Sequence, residues 1–218
     1  MSNHSLVVSY DAEVPEDFFE DFLRDTKGAN VPVETSTRTV GPMMALEWLL
    51  PTTVIVFLAK PFLDAFLKRA ADDVADAVYP KIKNAITKLV IKVLVSTRGS
   101  WKRITRSGEL PREGHSPFFS IESETKEATR IKFVFNEGAN EEQYIACVNQ
   151  ALQLLQAHHM ETTLDPLLNA PVDENRNTIY MLYDDDHQHW YAVNIQQEIS
   201  KIAAESRVES SNSHKNET

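Results

Sequence analysis

Residues 42–60 read PMMALEWLLPTTVIVFLAK, the most apolar stretch of a 218-residue chain. Their reading decides the fold. From Pro42 to Ala59 a helix would extend about 27 Å at 1.5 Å per residue. A bilayer hydrocarbon core is roughly 30 Å thick. Leu46, Leu49, Leu50, Val54, Ile55, Val56, Phe57 and Leu58 each favour insertion by about 0.3 to 0.6 kcal/mol. Glu47 opposes it from near one end, Pro51 kinks it, and Lys60 can snorkel at the other end. A membrane-spanning helix over 43–59 is therefore expected. Two alternatives remain: a shorter helix buried in a core, and a helix lying in a membrane surface.

Outward from this segment the pattern changes on both sides. Towards the N-terminus, Leu6–Tyr10 reads as a strand, and Pro15 then opens a helix with Phe18, Phe19, Phe22 and Leu23 on one face. Val31–Val40 reads as extended. Towards the C-terminus, Phe62, Phe66, Ala70 and Val74 recur every fourth residue. Pro80 suits the first position of a helix over 81–95. In that helix Ile82, Ile86, Leu89 and Val93 share a face, and Lys81, Lys88 and Lys92 lie roughly opposite. Strands follow at Phe118–Glu122 and Arg130–Phe135. Asn140 with Gln143 forms a capping-box signature, ahead of a helical stripe of Ile145, Val148, Leu152 and Leu155. A hairpin is expected from Ile179–Tyr183 and Trp190–Ile195, with a closing helix to Ala204.

The expected fold class is α+β. A small N-terminal β-α-β piece occupies 1–41. A central helical region, 42–96, carries one hydrophobic, potentially transmembrane helix and amphipathic basic helices. A linker spans 97–117, a C-terminal β-β-α-β-β-α unit spans 118–204, and a disordered tail spans 205–218.

The formal net charge of −10 hides an uneven distribution. Residues 1–45 carry −5, residues 46–106 carry +6 and residues 107–218 carry −11. General nucleic-acid binding is excluded by that balance. The basic block sits beside the apolar segment, as expected of a helix lying against anionic lipid headgroups. It could equally face the chain's own acidic parts. Cys147 is the single cysteine, so no disulfide forms within the chain. No secretory signal or lipidation motif is legible.

Few residues suggest chemistry. The six glycines form no phosphate-cradling loop, and no GxSxG, HExxH or paired CxxC occurs. Cys147 falls on a predicted helix and reads as a small buried residue. The turn Asp184-Asp185-Asp186-His187-Gln188-His189 offers Asp184, Asp186, His187 and His189 as weak candidates for a divalent cation, against the plainer reading of a solvated turn. His158-His159 with Glu161 forms a weaker candidate dyad. Tyr180, Tyr183, Trp190 and Tyr191 are candidates for a partner-binding surface, against sheet packing.

The function expected is therefore that of a membrane-associated, non-enzymatic protein without a cofactor. Leu46, Trp48, Leu49, Leu50 and Val54–Leu58 would enter lipid, with Lys81, Lys88 and Lys92 near headgroups. The C-terminal domain would face the cytoplasm and bind a protein partner. The first alternative is a soluble, cytoplasmic α+β binding or scaffold protein with 43–59 as core or oligomer interface. The second is an enzyme using the 184–189 turn.

Overall fold

The computed structural model describes residues 6–39, 52–63, 75–96, 104–105, 108–109, 115–160, 167, 169–198 and 200. In chain order the elements are β1 (Leu6–Asp11), a 3-10 turn (Glu16–Phe19), α1 (Glu20–Gly28), β2 (Val33–Arg38), β3 (Val54–Leu58), α2 (Ala75–Ile91) and a π turn (Lys92–Ser96). Then come β4 (Ile104–Thr105), β5 (Gly108–Glu109), β6 (His115–Glu124), β7 (Arg130–Asn136), α3 (Glu141–His159), β8 (Thr178–Asp184) and β9 (His189–Val193). The fold is mixed α/β. One seven-stranded sheet runs in the order β2-β1-β3-β6-β7-β8-β9, so it takes strands from both the N-terminal and C-terminal parts of the chain.

The decisive correction concerns Val54–Leu58. These five residues are not helical but form β3, antiparallel to β1 and parallel to β6. Val54, Val56 and Leu58 have no exposed surface and Ile55 is also buried. A continuous apolar run is what a strand buried on both faces requires, and it resembles a membrane segment for that reason. Three of the five residues are β-branched, which stiffens χ1 and favours the extended backbone. Among the described residues no helix is long and apolar enough to cross a membrane. Leu46, Trp48, Leu49 and Leu50 lie outside the described residues, as do the predicted tail and most of the predicted linker.

Three β-α-β units build the sheet: β1-α1-β2, β3-α2-β6 and β7-α3-β8, each joining parallel neighbours. Their helices share one face. Leu6, Val8 and Tyr10 of β1 align with Leu58, Val56 and Val54 of β3, and this register continues through Phe119, Ile121, Ile131, Phe133, Ile179 and Met181. All belong to one core with Phe19 and Phe22 of the α1 region, Ile86 and Leu89 of α2, and Val148 and Leu155 of α3. β7 runs parallel to β1, yet its crossover advances across the sheet in the opposite direction. With the helices on one face, the third crossover therefore has the opposite hand to the first two, a departure from the usual uniform right-handedness.

Helix boundaries follow local chemistry. Asn140 accepts from the Gln143 amide at 2.9 Å while the Gln143 side chain accepts from the Asn140 amide at 2.8 Å, the reciprocal cap expected from the sequence. Pro80 does not begin α2; the helix starts at Ala75 and runs through it.

Candidate functional site

The 184–189 turn is closed by its own first residue. Asp184 Oδ1 accepts from the amides of Asp186 and His187 at 2.9 and 3.0 Å, and its Oδ2 lies 2.9 Å from His187 Nδ1. The amide and imidazole of His187 hold the Asp184 carboxyl below its ordinary pKa, and the same pairing raises that of His187. Asp185 accepts instead from Asn136 Nδ2 at 2.7 Å. His187 and His189 rings sit 6.0 Å apart. Among the described residues no group of three or more His, Cys, Asp or Glu side chains is placed to hold a metal ion. Asp184, Asp186, His187 and His189 thus sit in one exposed hairpin without forming such a group.

The four aromatic candidates divide by sheet face. Tyr183 and Trp190 point to the helices. Trp190 donates to the Cys147 carbonyl at 3.0 Å and meets Phe133, Phe135 and Tyr183 edge-on, with centroids 5.0 to 5.3 Å away. Tyr180 lies on the other face and is also buried. Burial pushes the phenols of Tyr180 and Tyr183 up to about 12. Only Tyr191 of the four is exposed. Cys147 is buried, and desolvation pushes its thiol up to about 12, which makes it a poor nucleophile at neutral pH.

The basic segment finds partners on α1 and on the 3-10 turn before it. Lys88 Nζ lies 2.7 Å from Asp25 Oδ2, and Lys92 Nζ donates to the Phe18 carbonyl at 2.7 Å while lying 4.5 Å above the Phe18 ring. Two of the three lysines assigned to headgroups therefore meet the chain's own N-terminal helical segment, Lys88 through a carboxylate and Lys92 through a carbonyl and a ring. Lys81 is exposed.

A different constellation escaped the sequence reading. On the sheet face away from the three helices, Glu122 of β6 stands directly opposite Lys132 of β7. Glu122 is 4 % exposed and Lys132 is 5 % exposed. Arg130 Nη1 lies 3.5 Å from Glu122 Oε2, and Ser120 donates to Glu122 Oε1 at 3.3 Å. Arg176 and Asp173 form a neighbouring pair at 3.0 Å. At the far side, Ser9 and Ser36 share a 2.6 Å hydrogen bond, Ser36 lying two residues before Arg38 at the end of the edge strand β2. Burial lowers the Lys132 ammonium from 10.5 to about 8, with Glu122 opposing that shift and Arg38, Arg130 and Arg176 adding to it. On the order of 3 kcal/mol separates those two values. The alternation of Ile131, Phe133 and Phe135 with Lys132 was legible in sequence. It assigns Lys132 to the face away from the core, and local alternation does not show that this second face is buried as well.

No family model, curated protein or solved structure matches this chain.

Proposed function

We propose that the chain is a non-enzymatic binding domain, with the helix layer and β3 as scaffold and the charged centre of the sheet face opposite α1, α2 and α3 as the place where a ligand is held. One observation carries this reading: Glu122 and Lys132 are buried together on that face at an energetic cost, among Arg38, Arg130 and Arg176. Apolar side chains of similar volume would stabilise the fold as well or better. Sites kept for binding commonly trade stability in this way. Beside the charged residues, Val134, Tyr180, Leu182, Val193 and Ile195 form an apolar cluster.

The membrane reading fares worse on magnitude. Anchoring through 43–59 would withdraw β3 from between β1 and β6. Val8, Tyr10, Phe119 and Ile121, each at most 3 % exposed, would lose their neighbours. At about 1.5–3 kcal/mol per side chain, that loss rivals the entire stability of a typical domain, about 5–15 kcal/mol.

The test is a double substitution, Glu122→Gln with Lys132→Met, read by chemical denaturation of the full chain. The binding-site reading expects a midpoint equal to or above that of the parent. A collapse of the fold would show that the charges are structural. Flotation with phosphatidylserine-containing vesicles provides the second arm: the chain should stay at the bottom of the gradient, and recovery with the vesicles would restore the membrane reading.

A further inference from the structure

Arg38 closes β2, in register with Asp11 of β1, on the face opposite α1, α2 and α3. Its Nε and Nη2 atoms are buried, and neither has a hydrogen-bond partner among the described residues. These two atoms are not an arbitrary pair. In a guanidinium the Nε–H and one Nη2 N–H point the same way, forming the lateral edge that donates two parallel bonds to a carboxylate or phosphate. Buried N–H groups are nearly always satisfied, and charged ones left bare are costly, so an intact but unfilled edge calls for an acceptor.

The surroundings favour an anion in that role. Glu122 and Asp11 attract the Arg38 charge and Arg130 repels it, while Lys132 feels Arg38, Arg130 and Arg176 together. Asp173 is engaged with Arg176, and the contacts of Glu122 run to Arg130 and Ser120 rather than to Arg38. Neither Glu122 nor Asp173 therefore fills the Arg38 edge. The hydroxyls of Ser9 and Ser36 stand on the same face in the adjacent row; one donates to the other, which leaves one hydroxyl proton for a bound oxygen.

We propose that the face opposite α1, α2 and α3 binds a small oxyanion, a carboxylate or a phosphate, bidentately on the Nε–Nη2 edge of Arg38. The inference rests on reading that face as a binding surface and adds the chemical class of its ligand.

The experiment titrates the full-length chain with inorganic phosphate and separately with succinate, at ionic strength held constant with chloride. Two readouts are followed: calorimetric heat and the side-chain Nε–H resonance of Arg38. Saturable binding by either anion, with a shift of that resonance, is expected; the tighter anion identifies the ligand chemistry. Arg38→Lys keeps the charge but removes the fork and should weaken binding at least tenfold. Arg38→Gln should abolish it, and Arg24→Gln, an exposed position on α1, should leave it unchanged. No saturable response to either anion, or equal affinity in Arg38→Gln, overturns the proposal. The Nε–H readout needs no variant, so a poorly folded substitution leaves the test intact. If the Glu122→Gln/Lys132→Met protein keeps its stability while neither anion binds the parent, only the oxyanion assignment fails. If that double variant collapses, the binding-surface reading fails with it.

Discussion

Replacing Lys132 with methionine tests the buried charge directly. The folded ammonium has a pKa of about 8 against 10.5 for the free group, because burial disfavours its charged form. Between those values the unfolded chain binds more protons than the folded one, so stability must rise with pH. The penalty is nearly full around pH 7 and is relieved as pH climbs through about 8 towards 10.5. Linkage gives a rise of about 1 kcal/mol between pH 7 and pH 9 from this group alone. Cys147 works the other way: its thiol, at about 12 when folded, costs stability once the unfolded thiol ionises near 9. That opposing slope is common to parent and variant and cancels in the difference. Urea denaturation of both proteins at pH 7 and pH 9 should show that the gain on going alkaline is about 1 kcal/mol larger in the parent than in Lys132→Met. Parallel pH profiles would refute the burial of a charged lysine at this position.

Further expectations concern other layers of the fold. Val56→Arg places a charge at a position with no exposed surface in the middle of the sheet, and should cost on the order of 5 kcal/mol, enough to unfold the chain in a denaturation series. Asn140→Ala removes one half of the capping box and should lower stability by about 1 kcal/mol. His187 should titrate above the ordinary imidazole value by NMR, and Asp184→Asn should return it there; because a raised folded pKa adds stability only while the imidazolium persists, its small contribution fades as pH rises through that pKa. Cys147 should resist thiol reagents in the native protein and react fully in denaturant.

Local signals in the sequence reported most elements well. The Leu6–Tyr10 strand, the Phe-rich helix after Pro15, the Asn140 cap and the hairpin around Asp184 all depend on nearest neighbours in the chain, and all recur in the structure. Val54–Leu58 failed for a physical reason: an all-apolar run carries no period, so strand and buried helix look alike until pairing partners are known. Its β-branched content was the available clue. The charged face was invisible for a related reason. Arg38, Glu122 and Lys132 are remote in sequence and come onto one sheet face only through the strand order, and a lysine alternating with phenylalanines reads as solvated because nothing local shows that its face is buried too. The aromatic candidates show the converse, since Tyr183 and Trp190 are packing residues whose role was equally open in sequence.

The placement of Val54–Leu58 at the centre of the sheet supports everything above, and hydrogen exchange on those five amides tests it most directly. β3 is paired on both sides, so its amides should exchange only through global unfolding, as slowly as those of β6, and anionic vesicles should not change their rates. Rapid exchange in solution, or protection that arises only on vesicles, would contradict the account and return this segment to the membrane.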